Sequence, residues 1–272
     1  MDEKTNQAAA LANAAMFDEK DSGRYIEGAP HLKHANLRGL YEALTLRVFS
    51  SAKRSTSIPR VLDLGAGEGS ATLRFLELGA SVTAVDISEK QMAALLHRCQ
   101  SYGDRLYVRR EEITETLKQE GESYDIVVMN SFLHHIPDYL SLIRAAVPLL
   151  GRFGQFFSFQ DPLRYDTIGL PARLFSQLAY FSWRIFQGNL SRGLKTRIRR
   201  LRGIYIPGSP EDDAEYHVTR NGVDQRAIAG LLESAGFDCT TVRYFSTQSG
   251  VLQRVGAFLG IENTFAVIAQ RK

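Results

Sequence analysis

The stretch Val61-Leu62-Asp63-Leu64-Gly65-Ala66-Gly67-Glu68-Gly69-Ser70 decides how the chain is read. Its apolar opening followed by Gly-x-Gly-x-Gly reads as a buried strand that ends in a tight loop. The segment Ala71-Thr72-Leu73-Arg74-Phe75-Leu76 then reads as the start of a helix. A side chain on the loop would hold the backbone away from anything lying over it, which is a reason for glycine there. Strand, glycine loop and helix N-terminus together form a cofactor cradle in open α/β sheets. Glycines also end strands for structural reasons alone, so the loop is weighed with its surroundings.

Upstream of the loop, residues 1–20 read as a short helix or an arm, and Asp21 to Pro30 as a loop. Leu37, Leu40, Tyr41, Leu44 and Val48 then recur at helical spacing. Downstream, Gly79 closes the first helix, and Ser81–Asp86 reads as a second strand ending in an acid. Ser88 with Gln91 makes a capping box for the next helix. Arg105–Val108 and Tyr124–Asn130 read as the third and fourth strands; the fourth is nearly all apolar, as in a strand buried on both faces. Tyr139–Leu150 reads as helix and Phe153–Phe159 as the fifth strand. This alternation implies a parallel sheet with right-handed crossovers. It stops between Asp161 and Tyr216, which reads as a helical insertion over the carboxyl edge of the sheet. It resumes with a helix over Val223–Ala235 and strands over Asp238–Phe245 and Thr264–Gln270.

With 272 residues, 44% hydrophobic and 23% charged, the chain suits one globular α/β domain carrying a sizeable insertion. A net charge of +3 selects no partner by itself. Cys99 and Cys239 make no disulfide framework and no Cys/His cluster has metal spacing, so both read as reduced core residues and no metal is expected. The opening Met1-Asp2-Glu3-Lys4 does not resemble a secretory signal, and the most apolar helical stretch, 170–190, is broken by Arg173 and Arg184. A cytoplasmic protein is the expectation.

Two cofactor readings compete. A nicotinamide dinucleotide loop has its third glycine five positions after the first, where this chain has Ser70, with Gly69 one earlier. That reading leaves Asp63 unexplained, whereas an acid before the loop suits a ligand with a cationic amino group. Val61–Gly69 resembles the first motif of class I S-adenosylmethionine-dependent methyltransferases. Val85-Asp86-Ile87-Ser88 resembles their second strand end. Tyr124-Asp125-Ile126-Val127 with Leu133-His134-His135-Ile136-Pro137-Asp138 resembles their fourth strand and following loop, and Ala235-Gly236-Phe237 the turn before their sixth strand. The resemblance covers roughly residues 58–160 and 222–271, and it is to the branch that methylates quinones, sugars, lipids and secondary metabolites.

The resemblance implies an α/β, Rossmann-like doubly wound, mostly parallel seven-stranded sheet with an antiparallel last strand and a helical lid insertion. It divides the chain into an N-terminal helical arm or cap (1–57), an S-adenosylmethionine-binding core (58–160 and 222–272) and an acceptor lid (161–221). It also implies roles. Asp63, Gly65 and Gly67 would hold the methionine end of the cofactor, with Ala66 and Gly69 completing the loop. Asp86 would accept the ribose hydroxyls, although an acid there also caps the following turn, and Ile87 would pack on the adenine. Glu111, or else Glu112, would meet the adenine amino group beside Ile113, at a place where Asp is usual. Asn130, Ser131 and Phe132 would line the sulfonium end. His134 and His135 belong to the scaffold loop, as structural or cofactor-facing residues, and the segment around Tyr25, His31 and His34 would close over the cofactor.

Methyl transfer to a neutral hydroxyl also needs a base, and His134, His135, His217 and Asp161 are the candidates. His217, at the end of the insertion, is preferred, with His135 and Asp161 behind it. Asn130-Ser131-Phe132-Leu133 lacks the Pro-Pro-aromatic run of adenine amino-methylating enzymes and the carboxylates of metal-dependent catechol enzymes. Neither Cys99 nor Cys239 is placed as a cytosine nucleophile. Tyr165, Leu174, Phe175, Tyr180, Phe181, Trp183 and Phe186 concentrate aromatic and apolar side chains in the insertion. Arg192, Lys195, Arg197, Arg199, Arg200 and Arg202 follow. They read as a lid with a solvated basic face, or as a pocket for a largely apolar acceptor. In the second case the basic 192–202 segment would face an anionic group, a carrier protein or a membrane surface. No recognition motif points to nucleic acid. Val251–Leu259 reads as a homodimer surface or as core. The leading expectation is methylation of a small acceptor, on a hydroxyl oxygen. The alternatives are another reaction with the same cofactor, such as a cyclisation, and a nicotinamide-dependent oxidoreductase.

Overall fold

The computed structural model describes residues 3–19, 28–118, 123–186, 199, 202–206, 212, 214 and 216–272. Strands β1 (Arg60–Leu64), β2 (Ser81–Asp86), β3 (Leu106–Arg110), β4 (Tyr124–Asn130), β5 (Leu150–Pro162), β6 (Phe237–Tyr244) and β7 (Thr264–Arg271) form one sheet. Its order is β3-β2-β1-β4-β5-β7-β6. Strands β1 to β5 pair in parallel, and β7 runs antiparallel to both β5 and β6. The sheet is thus the expected Rossmann-like, mostly parallel one with an antiparallel last strand.

Period-two alternation explains why the central strands are apolar throughout. Leu62, Leu64, Val127, Met129 and Phe156 point to one face, against Leu142 and Ile143 of α7 (Tyr139–Ala146) and Ile228 and Leu232 of α10 (Gln225–Ser234). Val61, Ile126, Val128, Phe157 and Phe159 point to the other, against Tyr41 and Val48 of α3 (Ala35–Ala52) and Phe75 of α4 (Ser70–Leu78). Each such fully buried side chain contributes about 1.5–3 kcal/mol of hydrophobic stabilisation. Helix starts follow the polar residues before them. Ser88 Oγ accepts from the Gln91 amide to cap α5 (Glu89–Cys99), and Asp138 and Asp224 cap α7 and α10 in the same way. Such caps typically contribute about 1 kcal/mol each.

Three elements bear on the site. Helix α1 (Glu3–Glu19) docks on the start of α5, where Asp18 Oδ1 accepts from Ser88 Oγ at 2.6 Å. A short helix, α2 (Pro30–Lys33), leads into α3. Strand β5 runs further than its sequence suggests. Gln160 has φ +70°, the register with β7 shifts between Phe159 and Asp161, and Asp161 pairs with Phe265. Asp161 is therefore a strand residue, which corrects its expected place beyond the strand and at the start of the insertion. The chain leaves the sheet at Leu163 and returns beside it at Val223. Between them lie α8 (Leu170–Phe186) and a short helix, α9 (Tyr216–Thr219). Helix α11 (Gly250–Phe258) exposes Val251, Val255 and Phe258 while burying Gln253 and Gly256, so it is not core. Among the described residues no helix is long and apolar enough to cross a membrane.

Candidate active site

The carboxyl ends of the parallel strands border a cavity of about 1640 Å³, the place where open α/β sheets bind ligands. Gly65, Ala66 and Gly67 form part of its wall. Gly65 has φ +73°, and a Cβ there would stand 2.1 Å from the Phe132 ring, so the loop backbone and that ring approach as only glycine permits. Gly67, at φ +53°, donates its amide to Asp86 Oδ2 at 2.9 Å. The other Asp86 oxygen accepts from the Ser88 amide at 2.9 Å. Asp86 thus caps the turn after β2 and still lines the cavity beside Ile87, with lone pairs to spare for a ligand hydroxyl. Burial raises its pKa, against the backbone hydrogen bonds that lower it.

The other expected contacts divide. Gly69 is turned away from the cavity, where a Cβ would meet the Leu95 side chain at 2.9 Å; its absence lets α5 pack against the loop. Asp63 lies beneath the loop, fully buried, accepting from Thr72 Oγ1 at 2.6 Å, and does not line the cavity. Burial pushes its pKa up to about 7. Past β3, Glu112 and Ile113, the latter opening α6 (Ile113–Leu117), line the cavity. Glu111 instead turns back to accept from Thr116 Oγ1 at 2.6 Å, so the less favoured acid is the one in position.

Asn130, Ser131 and Phe132 line the far side. Asn130 Nδ2 donates to Ser70 Oγ at 2.8 Å, while its buried Oδ1 has no partner. His31 joins them from α2, 3% exposed, with Nδ1 also unpartnered, and burial drops its pKa to about 4, so the ring is neutral. Two orphaned polar atoms beside the glycine loop suit a ligand with its own donors and acceptors at that end. His34 sits behind this wall, its Nε2 2.8 Å from the Thr247 carbonyl, and Tyr25 lies outside the described residues.

The loop after β4 holds the titratable pair. His134 Nδ1 lies 2.8 Å from Asp161 Oδ1, and the His134 amide donates to the same oxygen at 3.1 Å. Asp161 is fully buried, and a carboxylate oxygen accepts, so His134 Nδ1 is the donor of this bond and Nε2 is the ring nitrogen left over. The His134 ring lines the cavity, and Nε2 has no partner among the described residues. The His135 ring also lines it, packed edge-on against Phe17 of α1 with centroids 5.5 Å apart, and its Nδ1 bonds the Ala214 carbonyl.

His217, the preferred base from sequence, is not in the cavity wall. Its Nε2 donates to the carbonyls of Ile136 and Pro137 at 3.0 and 3.2 Å, and its ring is wedged between Tyr139 and Tyr216. It holds the histidine loop from behind, whereas His134, with Asp161 bonded to it, lines the cavity.

Among the described residues, the segment after β5 is less apolar toward the cavity than its composition suggests. Tyr165 and Tyr180 reach the cavity, but Phe175 packs on Phe245, Phe181 on Tyr180, and Leu174 is 57% exposed. The side chains of Trp183 and Phe186 lie outside the described residues, as do Arg192, Lys195, Arg197 and Arg200. Arg199 pairs with Asp212 at 2.6 Å, and Arg202 is exposed.

Residues 62–156 match the family model described as a methyltransferase domain. A ubiquinone biosynthesis O-methyltransferase of Xanthomonas axonopodis pv. citri is 34% identical over 110 residues, 40% of this chain and 46% of that protein. The chain therefore spans about half the length of the curated relatives it matches. Among solved structures, the magnesium protoporphyrin IX methyltransferase of Synechocystis, with bound S-adenosylhomocysteine, superposes with a TM-score of 0.53 at 17% identity, over 99% of this chain and all of that one. The cyclase SpnF superposes with a TM-score of 0.55 at 13% identity, over 98% of this chain and 96% of that one. At such identities the likeness is one of fold, and the fold alone does not choose between methyl transfer and cyclisation. With its sheet order and its glycine loop the chain has the fold of the class I S-adenosylmethionine-dependent methyltransferases, and residues 62–156 match a methyltransferase domain.

Proposed function

We propose that the chain is an S-adenosylmethionine-dependent methyltransferase that methylates a hydroxyl oxygen of a small acceptor, with His134 as the base. The observation that carries the reading is one cavity reaching from the glycine loop and Asp86 to the open Nε2 of a His134 ring held by Asp161. Gly65, Ala66 and Gly67 would receive the methionine end of the cofactor on bare backbone. Asn130 Oδ1 and His31 Nδ1 would supply polar partners there, Asp86 would accept the ribose hydroxyls, and Ile87, Glu112 and Ile113 would surround the adenine. Bound S-adenosylmethionine would supply a methyl group on a sulfonium, whose thioether is the leaving group when the acceptor oxygen takes the methyl.

The protein's part is to align the acceptor and to take its proton. Alignment can be worth roughly 7–11 kcal/mol of barrier, and a positioned base about 10²–10⁴-fold in rate. Asp161 fixes the His134 tautomer and stabilises the imidazolium formed when Nε2 takes the hydroxyl proton. The helices between Leu163 and Val223 serve as the acceptor lid, and α1 with α2 as the cap over the cofactor. The curated relatives' name supports oxygen as the atom methylated.

Calorimetry with S-adenosylmethionine, on the intact chain and on Asp86→Ala, tests the cofactor. Micromolar binding weakened at least tenfold in the variant, about 1.4 kcal/mol, is expected. No binding to the folded chain would remove the reading. Turnover without release of S-adenosylhomocysteine would replace methyl transfer by a cyclisation.

A further inference from the structure

Helix α8 presents its polar side to the cavity. Arg173, Ser176, Gln177 and Tyr180 recur at i, i+3, i+4 and i+7, which places them on one face, and all four line the cavity. Leu170, Leu174 and Leu178 are more than half exposed on the outer side. A lid serving a purely apolar acceptor would be expected the other way round. Ser176 Oγ lies 3.3 Å from Asn263 Nδ2, Asn263 donates to the Ser246 carbonyl at 3.0 Å, and Lys33 Nζ reaches the Gln248 carbonyl at 3.4 Å. Polar groups therefore run from Arg173 along the 246–248 loop to Lys33, all bordering the same cavity.

Charge along the cavity is divided. Its carboxylates sit on the glycine loop, at the end of β2, after β3 and at the cap of α7, as Glu68, Asp86, Glu112 and Asp138. None sits on α8 or α2. Arg173 and Lys33 have no counter-ion among the described residues; Lys33 donates to the Gln248 carbonyl, and Arg220 donates to the Asp212 and Tyr216 carbonyls and stacks on the Tyr216 ring. A cation facing a cavity without an acid in reach favours an anionic ligand group. Arginine meets a carboxylate through two parallel hydrogen bonds.

We propose that the acceptor carries an anionic group, a carboxylate in the first instance, bound by Arg173 on α8, with Lys33 as a second cation bordering the same cavity. The proposal rests on the methyltransferase reading and adds the chemical class of the acceptor. The acid would lie at α8 and the hydroxyl at His134, with Ile136 and Ile168 as apolar wall for the body of the acceptor.

The test uses the full chain with S-adenosylmethionine and paired hydroxylated probes, each as the free acid and as its methyl ester: 3,4-dihydroxybenzoate, caffeate and a hydroxylated long-chain fatty acid. Release of S-adenosylhomocysteine is read as kcat/KM, and binding of each probe is measured by saturation-transfer NMR with S-adenosylhomocysteine present. At least one acid should exceed its ester tenfold or more in kcat/KM. In Arg173→Gln that preference should fall at least tenfold through KM for the acid, and in Arg173→Lys it should be partly kept. Esters equal to or better than their acids, a preference that survives Arg173→Gln, or no binding by any acid overturns the proposal. Calorimetry with S-adenosylmethionine on the same samples separates the two failures. Cofactor binding without an acid preference removes only the anionic acceptor, whereas no cofactor binding removes the methyltransferase reading itself.

Discussion

His134 and Asp161 are joined twice through one oxygen: Asp161 Oδ1 accepts from the His134 amide at 3.1 Å and from its Nδ1 at 2.8 Å. The first bond fixes where the loop sits, and the second fixes the ring and its tautomer. Asp161→Asn keeps an acceptor of the same shape but removes the charge that steadies a protonated imidazole. We expect kcat to fall by about 10²-fold or more, approaching His134→Ala, while affinity for S-adenosylmethionine stays within a factor of two or so. Initial rates with a saturating acceptor, together with calorimetry, decide this. An unchanged kcat in Asp161→Asn would show that the pair is structural only.

Gly65 and Phe132 make the tightest approach in the cradle, since a Cβ on Gly65 would lie 2.1 Å from the ring. Gly65→Ala has to move the ring or the loop, and it places a side chain at φ +73°, a conformation that costs roughly 1–2 kcal/mol in a non-glycine residue. Cofactor affinity should drop at least tenfold. Adding Phe132→Ala should recover part of the loss, because it removes the clash but not the backbone strain. If the double variant is weaker than the sum of the singles, the clash is not the cause.

What the sequence makes legible here is local. The glycine loop, the acid closing β2 and the Ser88 cap are set by neighbours within a few residues, so spacing and residue type reveal them. The His134–Asp161 pair is different, because it spans 27 positions and depends on the irregularity of β5 at Gln160. A positive φ at glutamine has no sequence signature, and without it β5 reads as ending at Phe159. Glu111 and Glu112 are hard to tell apart from sequence for a similar reason. They are adjacent, and only the turn into α6 decides that Glu111 folds back on Thr116 while Glu112 faces the cavity. The segment between Leu163 and Val223 shows the limit of composition: its aromatic content is plain, but which side of α8 meets the cavity follows from how the helix lies across the sheet edge.

Asp63 makes stability depend on pH in a direction opposite to the usual carboxylate. Burial raises its pKa to about 7 in the folded protein, whereas an unfolded Asp titrates near 3.9. Between those values the folded state holds the extra proton, so this residue's contribution to stability falls as pH rises from about 4 to about 7 and then levels off. Asp63→Asn keeps an acceptor for Thr72 and removes the titration. The variant should gain on the parent by up to a few kcal/mol at pH 8 and by much less at pH 5. Urea unfolding of the cofactor-free proteins at both pH values measures it. A difference that does not change with pH would mean that Asp63 stays ionised throughout.

His217 supplies the converse test of where the base lies. Its Nε2 donates to the Ile136 and Pro137 carbonyls and its ring fills the space between Tyr139 and Tyr216, so a phenyl ring would keep the packing and lose both hydrogen bonds. Leaving those carbonyls unpaired should cost about 1–3 kcal/mol. His217→Phe should therefore unfold at lower urea, while the limb of its pH–kcat profile that reports the base stays where it is in the parent. His134→Asn should do the reverse, lowering kcat and erasing that limb with a smaller effect on unfolding. If His217→Phe instead abolishes the limb while binding S-adenosylmethionine normally, the proton passes through His217, and the open Nε2 of His134 is not what takes it.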